Sequence, residues 1–425
     1  MSAATIRPGM GAVLRTMLKN IRTEAFWPWG VWSIFSLGVL LLFVAYPIGV
    51  LTWNALLSPQ GNLSLVGFAT VLTEAQYLEA IRNTIVLGII VTCTSTLVGV
   101  PLAYVMARYD FPLKGVVAIL PIVTIIIPEV IVGQSWLMML GNNGLISNWL
   151  NDQGLAVPSF YGWSGMVFSM TLIYYTYVYL GTLAALRGFD GQLEEASLSL
   201  GASPFMTRLK VMLPTVAPAI LVNGLVVFTL VVGNFALSSL LGGQIPLLSV
   251  MTYSLFVSEM GNSPVLQSSL SVVMIAIVAV VLFFQKRVVE RRQVQMTQGR
   301  APAPVRAKSW QGVLLASLAV GVVALSLVPL VAVFAGAFTQ ARGPVMHWGK
   351  WSTQSIERAL SLAPEPILNS LMFAASATVL GTALALMVSY LVVKKKSRLS
   401  GVLDYVVVLP LTISGTVLGI ALVQS

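Results

Sequence analysis

The chain has 425 residues, 57% of them hydrophobic and only 9% charged, with a net charge of +10. Soluble domains carry about 25% charged residues, so this deficit excludes an ordinary water-soluble enzyme and makes lipid the solvent. The basic residues fall in short clusters between apolar runs, a pattern of membrane topology that argues against nucleic-acid binding.

A polar, basic leader (1–29) comes first. The first apolar run opens near Trp29 and is longer than the core of a cleavable signal, so it reads as a permanent span. In all, nine runs are long enough to cross a bilayer: 30–54, 83–106, 115–141, 163–186, 216–240, 265–285, 312–336, 367–393 and 401–425. Backbone amides find no partner in hydrocarbon, so each run is expected to be helical. Asn83 and Asn369 open the second and eighth runs as candidate helix caps. Cys93, the single cysteine, reads as a small packing residue and excludes a disulfide within the chain. In the third run Pro128 predicts a kink or break. Glu129, the next residue, is a carboxylate in lipid and hence a candidate for the translocation pathway. The bland reading is that it pairs with amides freed by Pro128.

After the fourth run comes a polar loop, 187–213, reading RGFDGQLEEASLSLGASPFMTRLKVML and followed by Pro214. Asp190 is placed to cap a short helix with Glu194 and Glu195 in its first turns, where acids suit the helix dipole. Gly201 permits a turn, and Ser203-Pro204 restarts a second short helix through Phe205. Pro214 and Pro218 mark entry into the fifth span.

Beyond the sixth span a charged stretch with Pro302 and Pro304 reads as a linker (291–311). The connection 337–366 holds the single histidine, His347, so no His/Cys cluster supports a metal site. Trp136, Trp149, Trp163, Trp348 and Trp351 suit an interfacial belt. Asp404, in the ninth run, reads as interfacial.

With the amino terminus in the cytoplasm, only Arg82, Arg342, Lys350 and Arg358 of the 24 Lys and Arg residues fall outside, as the positive-inside rule requires. A shift of 286 residues lays the second and third runs on the eighth and ninth without gaps. Asn83-Thr84 meets Asn369-Ser370, Tyr104 meets Tyr390, and Gly133 meets Gly419, which implies a parallel repeat. The expected fold is all-α, a polytopic bundle. It has a first domain of about six spans (30–290) and a partial second one of about three (312–425). The second half is expected to be incomplete, as in a truncated chain.

Glu195, Ala196, Ser197, Gly201, Ala202 and Leu213-Pro214 together match the E-A-A-x-x-x-G loop of binding-protein-dependent ABC importer permeases, with Ser197 replacing the second alanine. The chain resembles that family, and among its fused two-half members those for ferric iron, then phosphonate and thiamine. The resemblance implies an inner-membrane transport subunit that is not itself an enzyme. Glu194, Glu195, Ala196, Ser197, Gly201, Ala202, Phe205, Leu213 and Pro214 would form its coupling loop. Implied partners are a separate homodimeric ATPase that binds the ATP, a periplasmic solute-binding protein, and membrane lipid. No phosphate loop is present in the sequence; the nearest approach, Gly349-Lys350, has Pro344 and Trp351 in the wrong places. An ion-coupled secondary transporter is the alternative, but it calls for several charges within spans, and Glu129 is nearly alone.

Overall fold

A computed structural model describes residues 28–258, 263–291, 305–306, 310–342, 345–395, 399–408, 410 and 413–425. The basic leader, with Arg7, Arg15, Lys19 and Arg22, lies outside the described residues. So do most of the linker, including Pro302 and Pro304, and the side chains of His347 and Trp348.

Among the described residues, seven helices are long and apolar enough to cross a membrane, and a bent pair makes an eighth. They are α1 (Trp29–Ala55), α3 (Ala75–Arg108), α7 (Trp163–Arg187), α9 (Pro204–Val232), α12 (Pro264–Arg291, apolar to Gln285), α13 (Trp310–Ala337) and α15 (Pro364–Lys395). The bent pair joins α4 (Lys114–Ile126) at 101° to the segment Glu129–Asp152, which opens with α5 (Glu129–Leu140). Shorter helices are α2 (Val66–Thr73), α6 (Leu145–Asp152), α8 (Gly191–Ser199), α10 (Ala236–Leu241), α11 (Leu248–Val257) and α14 (Gln354–Leu362). The last two are α16 (Ser400–Val408) and α17 (Gly415–Gln424). Strand pairing is marginal. β1 (Tyr109–Asp110) runs parallel to β2 (Val305–Arg306), and β3 (Thr339–Arg342) is antiparallel to β4 (Val345–Trp351).

Among the described residues the count is thus seven or eight, against the nine apolar runs of the sequence. The ninth run is divided into α16 and α17. The third divides where Pro128 has no amide to give. Ile127, pushed out of the helical region by the following proline, sits at ψ 127°, and Pro128 at ψ 131°. The two divisions recur at one spacing. Lys114 to Ser400 and Glu129 to Gly415, the starts of the paired helices, are each 286 residues apart.

The contacts divide the chain into two compact units, residues 55–356 and residues 1–54 with 357–425. In the first, α3 packs along α7, and α9 lies against both. Glycine permits the closest approaches. A Cβ at Gly99 would stand 2.7 Å from the Tyr175 carbonyl, and one at Gly88 2.7 Å from the Phe228 ring. Hydroxyls tie the spans where apolar lipid gives little drive for helices to associate. Thr94 pairs with Thr171 at 2.6 Å, Thr124 with Thr176 at 2.9 Å, and Tyr175 with Ser326 at 3.0 Å. In the second unit α1 packs against α15 and α16 through Leu37, Leu40, Val388, Leu391 and Leu403.

Several sequence expectations are corrected. Asn83 lies inside α3, buried, and donates to the Pro246 carbonyl at 3.2 Å; it caps nothing. Asn369 likewise lies inside α15, which begins at Pro364. Both helices extend beyond their apolar runs. Cys93 is exposed rather than packed. Trp136 is buried, edge-on to Phe168 at 4.9 Å, while Trp149 and Trp351 are exposed.

Candidate functional site

Two constellations stand out, both within residues 55–356. The first is the hairpin of α8 and the start of α9. The Asp190 carboxylate accepts from the Gln192 amide at 3.0 Å and caps α8. Gly201 turns the chain at φ +86° in open space. The Ser203 hydroxyl accepts from the Met206 amide at 3.3 Å, with Pro204 in the first turn. The two arms are fastened by Ser197 and Thr207, whose hydroxyls lie 2.9 Å apart. Arg108, at the end of α3, reaches Glu194 at 2.5 Å and lies over the Phe189 ring, which pins the hairpin to the spans. Arg208 lies over Tyr104, also of α3.

The second arm is not a separate helix. Pro204 to Val232 is continuous, and Pro214 and Pro218 lie inside it. A π turn at Arg208–Met212 supplies the register change that lets the helix run through Pro214. The tip carries Leu198, Leu200, Phe205 and Leu209 exposed, with Leu200 88% and Phe205 70% accessible. Glu195 and Ala196 are exposed beside them, and Ala202 is half-buried. Phe205 and Leu209 border an apolar cavity of about 320 Å³ between this arm and the ends of α3 and α7. Leu213 also lines it, and Pro214 is exposed.

The second constellation is built at two helix breaks. Glu129 opens α5 just after the Pro128 break. Asn234 follows Gly233, where α9 ends. The Tyr174 hydroxyl of α7 donates to Glu129 Oε1 at 2.5 Å. Asn234 Nδ2 donates to Glu129 Oε2 at 2.6 Å and to the Tyr174 oxygen at 2.8 Å. Asn234 Oδ1 accepts from the Leu237 and Ser238 amides and so caps α10. Sequence reasoning found Glu129 and Pro128 but not Tyr174 or Asn234. The Gly233-Asn234 pair inside an apolar run was the available signal.

No group of three or more His, Cys, Asp or Glu residues that could hold a metal occurs among the described residues.

A bundle of spans with a broken third helix and an anchored hairpin after the fourth defines a polytopic helical membrane protein. The profile of the family described as "binding-protein-dependent transport system inner membrane component" matches residues 99–294. A probable molybdenum ABC transporter permease of Haloferax volcanii is 30% identical over 50% of this chain and 74% of its own length. A probable sulfate transport system permease of Nephroselmis olivacea is 26% identical, over 55% and 78% respectively. A protein of Haemophilus influenzae named as a ferric transport system permease is 24% identical over 83% of this chain and 56% of its own length. The chain belongs to the family of ABC importer inner-membrane permeases. It is thus a multi-pass transport component of the inner membrane, a membership that does not favour an ion-coupled carrier.

Proposed function

We propose that the hairpin is the docking element for a separate ATP-hydrolysing subunit, and that the chain passes a solute received from a periplasmic binding protein. The amino terminus and the hairpin then lie in the cytoplasm, in keeping with the distribution of Lys and Arg. One observation carries the reading: an exposed apolar tip on a hairpin that is pinned to the spans and whose second arm is itself a span. Among the described residues Leu200 and Phe205 remain largely exposed, and a helix held at both ends can transmit closure of a partner. Glu194, Ser197, Gly201 and Ala202 shape the hairpin, Glu195 and Ala196 face outward, and Leu213-Pro214 continue into the span. Pro128 and Glu129 border the translocation pathway, where the third span breaks.

The solute we propose is ferric iron, because the likeness to the ferric permease runs over most of this chain, whereas the molybdenum and sulfate permeases match about half. Phosphonate and thiamine rank next. Reconstituted in liposomes with the ATPase and binding protein of its own system, the chain should accumulate ferric iron when ATP is supplied. Accumulation of sulfate or molybdate instead would overturn the iron assignment and leave the permease reading standing. An ATPase subunit that does not associate with the chain would overturn the coupling itself.

A further inference from the structure

We infer that Glu129, Tyr174 and Asn234 form a lock that carries movement of the hairpin to the break in the third span. The inference rests on the coupling role proposed for the hairpin. The 29 residues from Pro204 to Val232 form one helix, a rod of roughly 40 Å. Its near end is the hairpin's second arm, and Asn234 follows directly on its far end. Displacement of the hairpin therefore arrives at Asn234.

What Asn234 holds there is the start of α5. Both carboxylate oxygens of Glu129 are engaged by the chain itself, one by Tyr174 and one by Asn234. Tyr174 is 2% and Asn234 4% exposed. The Asn234 amide spends every group it has: Oδ1 on the first turn of α10, Nδ2 on Glu129 and on the Tyr174 oxygen. Its own carbonyl accepts from Ser249 at 2.7 Å. Moving the end of α9 without α5 would leave several buried polar groups unpaired, a far higher cost than moving both. The carboxylate also sits in the first turn of α5, where the helix dipole favours an anion. Glu129 is thus a positioning residue at the edge of the pathway, fully occupied by its own protein, and not a ligand for a cationic solute.

The test follows two thiols in the assembled complex with its ATPase, in a Cys93→Ser background. Leu200→Cys reports the hairpin, and Val130→Cys reports the exposed side of α5 next to Glu129. Maleimide labelling is timed without nucleotide and with ATP and vanadate. With the lock intact, both rates change on nucleotide trapping. In Tyr174→Phe, which keeps the ring and removes one donor, and in Asn234→Ala, the change at residue 200 is retained and that at residue 130 is lost. Adding Glu129→Gln to Tyr174→Phe makes the loss no deeper, because both act through one contact. A residue 130 response that survives in all these variants overturns the lock. A joint loss at both positions, the mark of a merely structural role, also overturns it. If residue 200 in the parent protein ignores nucleotide, the coupling reading fails first, and the two failures are told apart.

Discussion

Gly201 turns the hairpin with φ at +86° and nothing within 4 Å of an added Cβ, so only backbone conformation opposes a side chain there. A β-branched residue in that left-handed region costs about 1–2 kcal/mol. Gly201→Val is expected to reduce recovery of the ATPase subunit with the chain, and Gly201→Asn to retain most of it, since Asn tolerates positive φ. A pull-down with equal membrane yields decides the point. Arg108 makes a second case. Its side chain is 14% exposed and that of Glu194 27%, so their pair is shielded more than an ordinary surface bridge. Removing the cation alone leaves Glu194 without a counter-charge, at a cost of roughly 1–3 kcal/mol. Arg108→Ala should therefore loosen α8, read as faster protease cleavage within 190–200 and no change elsewhere. These features were legible in the sequence because caps and turns are local. Asp190, Gly201 and Ser203-Pro204 sit within a few residues of the groups they serve. Asn234 and Tyr174 were not legible. They lie 105 and 45 residues from Glu129, and no local rule joins them.

Helices were legible from apolar runs, but their ends were not. Lipid dictates where a span is apolar, whereas packing and capping dictate where its helix stops. Thus α3 starts at Ala75, well before its apolar run, and there Tyr77 and Ala80 are buried. The start of α9 lay twelve residues earlier than its apolar run, because the π turn absorbs Pro214. Closeness of α3 to α7 and α9 depends on absent side chains. At Gly99 an added Cβ meets backbone of α7, which cannot turn aside, while at Gly88 it meets the Phe228 ring. Gly99→Val should lower stability by about 1–3 kcal/mol through overpacking, and Gly88→Ala by less, since a ring can shift. Thermal unfolding in detergent would show the first midpoint well below the second.

Across the whole molecule, duplication was legible as a fixed offset and reappears as matching helix starts at Lys114 and Ser400 and at Glu129 and Gly415. What the offset did not reveal is that a break belongs to the repeated unit, for Ser414 takes the place of Pro128, and the proline of the second break, Pro410, stands four residues earlier. There the Ser414 hydroxyl caps α17 by accepting from the Val417 amide at 3.2 Å, so a different residue opens the matching helix. The polarity proposed for the molecule, hairpin toward the cytoplasm, rests on the distribution of basic residues and governs everything proposed about coupling. A photoreactive residue placed at position 200, at the exposed tip of the hairpin, tests it most directly in membranes that contain the assembled transporter. The account predicts an adduct with the ATP-hydrolysing subunit. An adduct with a periplasmic protein, or none with the ATPase while that subunit is present in the complex, would contradict it.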